Sequence, residues 1–151
     1  MRPFRTQRRV EFCDTDAAGI AHFSAFFQYM EQAEHALLRS LELSVVLEDE
    51  DGRVISWPRV SADCDFQAAA KFEDVLDIEV RIDRLGTKSI AYGFTFRLDE
   101  QQIACGTIKT VCCHIEHGQV PRSIDIPNWI RERLRGFVGE CAETGSVDGG
   151  P

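Results

Sequence analysis

The longest regular pattern of apolar residues in this sequence runs from residue 23 to residue 41, where they recur every three or four positions. This spacing places them along one broad stripe of an α-helix of about five turns, since each turn takes about 3.6 residues. His22 or Ser24 can cap the start of this helix, and Arg39 complements the helix dipole near its end. The stripe is too wide for one small partner, so it predicts a helix wrapped by a sheet. Its members are Phe23, Phe26, Phe27, Met30, Ala33, Leu37, Leu38 and Leu41.

Alternation of apolar and polar residues predicts five strands around this helix. The first strand, at residues 7–12, precedes the helix and carries Val10 and Phe12 at alternate positions. Short turns at residues 86–87 and 99–102 predict that the last strands run antiparallel. The four strands that follow the helix are predicted at residues 59–66, 75–85, 88–98 and 103–115.

The other segments predict the connections and the ends of the chain. The acidic segment 42–57 is interpreted as a solvated loop, because like charges and a glycine disfavour packing. Pro127 suits the first turn of a short helix within residues 126–138. Residues 139–151 hold four glycines and few apolar side chains, which indicates a disordered tail after a single domain at residues 1–138. The order of elements predicts an α+β fold, with one antiparallel sheet around one long central helix.

Composition bounds the partners of the chain. The formal net charge of −8 argues against a nucleic-acid binder, because phosphate binding needs a basic surface. No stretch approaches the roughly 18 apolar residues of a membrane span, and no apolar segment follows the first residues, so we expect a cytoplasmic protein with no membrane partner. The exposed edges of an open sheet favour pairing with a second copy, so we expect a homodimer or a dimer of dimers, a homotetramer.

The six cysteines are interpreted as free thiols, because a disulfide framework requires a secreted protein and nothing in the sequence indicates one. Cys112, Cys113, His114 and His117 form the one cluster that resembles metal-ligand spacing. It lacks a second Cys-x-x-Cys or a matching His pair, so we expect no metal site and no cofactor.

The segment from residue 14 to residue 23 combines two carboxylates, Asp14 and Asp16, with a glycine turn directly before the helix. Free backbone N–H groups at a helix start can hold an oxygen on which negative charge develops, and a nearby carboxylate can act as base or nucleophile. These parts suit attack on a carbonyl. The alternative on the residues alone is that either aspartate only caps a turn.

Residues 10–41, VEFCDTDAAGIAHFSAFFQYMEQAEHALLRSL, closely resemble the first strand, loop and central helix of the 4-hydroxybenzoyl-CoA thioesterase and YbgC-like hot-dog families. The stretches PRVSADCDF, FEDVLDIEV and TKSIAYGF follow in the order expected for them. The resemblance implies a hot-dog fold and an acyl-CoA thioesterase that hydrolyses a CoA thioester to the free acid and CoA. It implies that Asp16 is the catalytic carboxylate, with Asp14 in a supporting role at most, and that the Phe23 N–H polarises the thioester carbonyl. Asp16 as nucleophile and Asp16 as general base both remain open.

The resemblance also suggests further contacts. His22 is a candidate for substrate contact or water positioning, with a helix cap or packing role as the alternative. Ser61 and Asp63 are candidates for contact across a dimer, with interface hydrogen bonding as the alternative. The full set of substrate candidates is Gly19, Phe26, Ser61 and Asp63. The candidates for binding the CoA phosphates are Lys88 and Ser89, with Arg59, Lys71 and Arg84 as alternatives.

Two other functions remain open from the sequence. One is a non-catalytic acyl-CoA or acyl-carrier binding module that kept the fold. The other is an enoyl-CoA hydratase, since such hot-dog enzymes usually pair an aspartate with a histidine about five residues on, and Asp16 with His22 is a loose version of that pair.

Overall fold

The computed structural model describes residues 3–139. In chain order its elements are β1 (Phe4–Arg9), α1 (Phe23–Ser40), β2 (Val46–Glu48), β3 (Val54–Ser56), β4 (Arg59–Phe66), β5 (Val75–Leu85), β6 (Ser89–Leu98), β7 (Gln101–Val111), β8 (Cys113–Ile115), β9 (Arg122–Ser123) and α2 (Asn128–Leu134). Single 3-10 turns lie at Phe12–Asp14 and Arg135–Phe137. The predicted mixed α+β class is confirmed.

The main sheet has five strands in the order β1-β5-β6-β7-β4, and every neighbouring pair is antiparallel. Period-two alternation explains why these residues form it. In β5 every second side chain from Leu76 to Ile82 is buried, while the polar residues between them point to the other face. β4 and β5 have the predicted bounds, and β6 begins one residue after the predicted start.

Helix α1 covers one face of this sheet and agrees with the predicted helix to within one residue at its end. Its apolar stripe joins the sheet residues in one hydrophobic core. Gly106 in β7 allows Met30 of the helix to approach the sheet closely, because a methyl group there would lie 2.6 Å from the Met30 sulfur and 2.6 Å from the Asp63 carbonyl oxygen. The buried residues of α1 are Ala25, Phe26, Tyr29, Met30, Ala33, Glu34, Leu37 and Leu38.

The prediction of a solvated loop at residues 42–57 is wrong. This segment contains β2 and β3, which form a second antiparallel sheet with β8 and β9 in the order β2-β3-β8-β9. Ile55 of β3 is fully buried, so the hairpin packs on the core despite the acidic turn that joins its strands. Each strand has only three residues or fewer, too short for alternation to stand out from the surrounding charges.

Three other boundaries differ from the prediction. The first strand lies earlier, and Phe12 belongs to a 3-10 turn with its side chain 78% exposed. The predicted strand at 103–115 is two strands, β7 and β8, separated at Cys112. Pro127 is the N-cap residue of α2, not its first helical residue, and α2 ends at Leu134.

Strand β4 is an exposed edge of the main sheet. None of its eight residues is buried, and Val60 and Phe66 leave 57% and 46% of their surfaces exposed. No helix within residues 3–139 is long and apolar enough to cross a membrane. The predicted tail lies, apart from Gly139, outside the described residues, as does Cys141.

Candidate active site

The loop between the 3-10 turn and α1 is closed by its own backbone hydrogen bonds. The His22 N–H donates to the Asp14 carbonyl at 2.7 Å, and the Asp16 N–H donates to the Ile20 carbonyl at 2.9 Å. The Gly19 N–H in turn donates to the Asp16 carbonyl at 2.9 Å. Gly19 has φ +76°, a left-handed conformation that glycine adopts without strain. The predicted glycine turn is therefore present, and Asp16 lies in the loop that leads to the helix start at Phe23.

The Asp16 side chain is held from one side only. Its Oδ1 accepts the Ala18 N–H at 2.8 Å. Within residues 3–139 its Oδ2 has no hydrogen-bond partner, and the residue is exposed in a single protomer. One carboxylate oxygen thus orients the group, and the other is available to a ligand.

The first turn of α1 is capped in a way that leaves one amide free. His22 is the N-cap residue, and its Nδ1 accepts the Ser24 N–H at 3.2 Å and lies 2.8 Å from the Ser24 hydroxyl. The Phe23 N–H has no hydrogen-bond partner in the part of the chain that the structure describes. An unpaired N–H at a helix start can polarise a carbonyl oxygen, aided by the helix dipole.

Asp16 and Phe23 line the same cavity, of about 340 Å³. Its walls are mainly apolar, and Phe26 stacks edge-on against Phe66 with a centroid distance of 5.2 Å. Among the lining residues that the structure describes, Asp16 supplies the one charged side chain. The lining residues are Asp16, Ile20, Ala21, Phe23, Phe26, Phe66, Gln67, Ala68, Ala69 and Ala70.

One wall of this cavity was missed by the sequence reasoning. It comes from Phe66 at the end of β4 and from residues 67–70 that follow it, and this segment is joined to the loop by the Ala21 N–H bond to the Ala70 carbonyl at 2.8 Å. A second link is the isolated bridge between Ile20 and Lys71. Residues 67–70 carry no periodic or chemical signal, so only the fold brings them to Asp16.

Most of the other predicted contact residues lie away from this cavity. Ser61 and Asp63 lie on the exposed edge strand β4 and do not line it, and Asp63 accepts a hydrogen bond from the Thr107 hydroxyl. Gly19 belongs to the loop, and Phe26 is buried in the cavity wall.

Four candidates for binding the CoA phosphates, Arg59, Arg84, Lys88 and Ser89, lie at the opposite end of the main sheet, whereas Lys71 is bridged to Ile20 of the Asp16 loop. The Asp16 loop is bridged to Lys71, shortly before β5 begins, whereas Lys88 and Ser89 follow the end of β5, a strand of eleven residues that spans about 35 Å at strand spacing. The Lys88 Nζ lies 4.0 Å from Asp125 Oδ1. Arg59, at the same end, forms an ion pair with Glu34. A single protomer therefore does not bring the cations at that end of the sheet to Asp16.

Residues 3–139 contain no reactive thiol, metal site or second ligand cavity that makes a stronger candidate active site than the Asp16 cavity. Burial raises the pKa of Cys64 and of Cys112 to about 12, so these thiols stay protonated and are poor nucleophiles. Residues 3–139 contain no group of three His, Cys, Asp or Glu side chains placed to hold a metal ion. A larger cavity of about 690 Å³ lies between residues 52–54 and 114–122, and its lining is mainly polar, with Arg53, Glu116 and Arg122 among its residues.

Comparison with known proteins identifies a family of enzymes for this chain. A sequence profile of the thioesterase-like superfamily matches residues 10–134. The 1,4-dihydroxy-2-naphthoyl-CoA hydrolase of Synechococcus sp. (strain WH7803) is 30% identical over 142 residues, covering 88% of this chain and 92% of that protein.

Solved structures show the same fold. A gentisyl-coenzyme A thioesterase matches with a TM-score of 0.74 and 30% identity, covering 87% of this chain and 99% of that one. A 1,4-dihydroxy-2-naphthoyl-CoA thioesterase from Synechocystis matches with a TM-score of 0.76 and 24% identity, covering 89% of this chain and 96% of that one.

Proposed function

This chain belongs to the thioesterase-like superfamily, and on that premise we propose that it hydrolyses an acyl-CoA thioester to a free acid and CoA, with Asp16 as the catalytic carboxylate. One observation carries the proposal: a carboxylate with a free oxygen and an unpaired helix-start amide line one apolar cavity. The 4-hydroxybenzoyl-CoA and YbgC-like subfamilies remain our assignment for the chain within this superfamily.

In the proposed reaction the thioester carbonyl oxygen accepts the Phe23 N–H. Negative charge that develops on this oxygen is stabilised by the amide and by the helix dipole, and loss of such a donor costs roughly a hundred- to a thousandfold in rate. The free Asp16 oxygen then attacks the carbonyl carbon to give a mixed anhydride and the CoA thiolate, and water hydrolyses the anhydride. In the alternative, Asp16 removes a proton from the water that attacks directly.

His22 supports this arrangement through the helix start. Because its Nδ1 accepts the Ser24 N–H, the cap leaves the neighbouring Phe23 N–H for the substrate. The centroid of its ring lies 4.4 Å from that of the Phe23 ring. We propose that His22 acts mainly as this cap.

We propose an aromatic acyl group as the substrate class. Phe23, Phe26 and Phe66 provide aromatic walls beside Asp16, and aromatic rings favour edge-to-face packing. Two similar proteins are named for the hydrolysis of 1,4-dihydroxy-2-naphthoyl-CoA and gentisyl-CoA, and both compounds are CoA thioesters of aromatic acids.

We propose a homodimer, or a dimer of dimers built from it, that pairs through β4. Its backbone edge and apolar side chains are exposed, which favours pairing with a second copy. Antiparallel pairing about the middle of β4 sets Phe66 opposite the partner's Arg59. The partner's Lys88 and Ser89 then lie at the same end of the dimer as the Asp16 cavity. From there these two residues can bind the CoA phosphates.

The experiment that tests the function is a panel of short, long and aromatic acyl-CoA esters with detection of the released thiol. We expect turnover above background, highest with aromatic esters. Tight binding of these esters without product would instead indicate a binding module. Loss of absorbance from crotonyl-CoA without thiol release would indicate a hydratase.

A further inference from the structure

We propose that Tyr29 is a positioning residue for the reaction at Asp16, and that it acts through the carboxylate of Asp14. This inference rests on the function proposed above. It is carried by a hydrogen bond of 2.8 Å from the Tyr29 hydroxyl to Asp14 Oδ2.

Asp14 closes both ends of the loop that carries Asp16. Its Oδ2 accepts the Glu11 N–H at 2.9 Å, which fixes the 3-10 turn before the loop. Its carbonyl accepts the His22 N–H at 2.7 Å, which fixes the N-cap of α1 after the loop. One residue therefore joins the entry and the exit of the loop, with Asp16 between them.

Tyr29 ties this closed loop to the body of the protein. It lies on the second turn of α1, is 1% exposed and packs against Phe26, which is also a wall of the cavity. Burial, together with the hydrogen bond to Asp14, raises the pKa of Tyr29 well above its ordinary value, so the phenol stays a donor over the working pH range. The same helix thus holds the Phe23 amide at its start and the loop of Asp16 from its second turn.

The bond also separates the roles of the two aspartates. Asp14 is half-buried, directed to Tyr29, and does not line the cavity, whereas Asp16 is exposed and does. Without the phenol, the Asp14 carboxylate loses its anchor to the helix, and the spacing between the Asp16 oxygen and the Phe23 amide is no longer fixed. Misplacement of reacting groups by even about 1 Å lowers the rate of the chemical step far more than it weakens binding.

The test compares Tyr29→Phe, Asp14→Ala and the double variant with the wild type on the best ester from the substrate panel, because alanine, unlike asparagine, leaves the phenol no acceptor. We expect Tyr29→Phe to lower kcat by about tenfold or more while KM stays within about twofold, because a positioning effect acts in the transition state. The double variant should lose no more than the worse single variant, since both changes break one link. Tyr92→Phe is the matched control, because Tyr92 is also 1% exposed and its hydroxyl makes no hydrogen bond within residues 3–139.

An unchanged kcat in folded Tyr29→Phe, with activity abolished in Asp16→Asn, overturns the inference and leaves the proposed function intact. Additive losses in the double variant also overturn it. Thermal unfolding checks that each variant is folded, and if Tyr29→Phe is not, Asp14→Ala decides the matter by the same split of kcat from KM. Full activity in Asp16→Asn contradicts the proposed function itself.

Discussion

Glu34 of α1 and Arg59 of β4 form a forked ion pair that joins the central helix to the exposed edge strand. The Arg59 Nη1 donates to Glu34 Oε1 at 3.0 Å, and Nη2 lies 2.8 Å from Oε2 without hydrogen-bond alignment, so the second contact is ionic only. The Glu34 side chain is fully buried, while that of Arg59 is 29% exposed. A buried carboxyl group of the helix is thus held by a partner that reaches solvent.

This pair predicts a pH dependence of stability. Burial outweighs the attraction of Arg59 and raises the pKa of Glu34 from 4.5 to about 7. The folded protein therefore binds this proton more tightly than the unfolded chain. The contribution of Glu34 to stability is complete below about pH 4.5 and is lost as the pH rises to about 7, a change of roughly 3 kcal/mol.

Glu34→Gln should remove this part of the pH dependence. Arg59 remains solvated and lies 3.9 Å from Glu31, so it keeps a partner. Urea unfolding of both proteins across this pH range is the measurement. Parallel stability curves would contradict the assignment.

Gly106→Ala should destabilise the protein by about 1–3 kcal/mol, the usual cost of overpacking. The added methyl group would meet the Met30 sulfur and a β4 carbonyl at 2.6 Å, and the carbonyl cannot move without distorting the sheet. Gly136→Ala is the control, because a methyl group there meets nothing within 4 Å. Equal urea midpoints for the two variants would show that helix and sheet are less closely packed than described.

Phe66→Ala should lower kcat/KM for aromatic esters by about two- to tenfold, the value of an aromatic contact of about 0.5–1.5 kcal/mol. Phe66 lines the cavity and is 46% exposed, so its loss costs little core packing. Phe72→Ala is matched to it, because Phe72 is 47% exposed and lies outside the cavity. A similar loss in both variants would place the acyl group elsewhere.

Substitutions of His22 separate its capping role from a role in chemistry. His22→Ala should lower stability by about 1 kcal/mol, because the Ser24 N–H loses its acceptor. His22→Asn restores an acceptor, so it should recover the stability and keep the rate within a few fold of wild type. A large loss of kcat in stable His22→Asn would show that the imidazole itself takes part in the reaction.

The sequence predicted the structure most accurately where a pattern of apolar residues is continuous over many positions. The apolar stripe of α1 and the alternation in β4 and β5 gave their bounds to within a residue, and the loop with Gly19 and Asp16 was placed correctly before the helix. Strands β2 and β3 were missed because three residues in an acidic segment carry no measurable period. The buried position of Glu34 was missed as well, since a carboxylate is rarely buried without a partner and Arg59 is 25 residues away along the chain.

The candidate site likewise has one part that the sequence predicts and one part that depends on the fold. Asp16, Phe23 and Phe26 lie within one short segment, so the sequence predicts them together. The opposite wall at residues 66–70 reaches Asp16 only through backbone bonds to the loop, and these depend on the fold. The positions of Arg59 and Lys88 at the far end of the sheet follow from strand length and order, which no local pattern contains.

The most direct test of the central claim is the kcat of Asp16→Asn on the best acyl-CoA ester, measured by thiol release with the fold verified by thermal unfolding. Asparagine keeps the size of the side chain and an acceptor for the Ala18 N–H, but it can act neither as nucleophile nor as base. We predict a fall of roughly a thousandfold, and no change in Asp51→Asn, whose side chain makes no hydrogen bond or ion pair within the described residues. An Asp16→Asn protein that is folded and turns over at the wild-type rate would contradict the account.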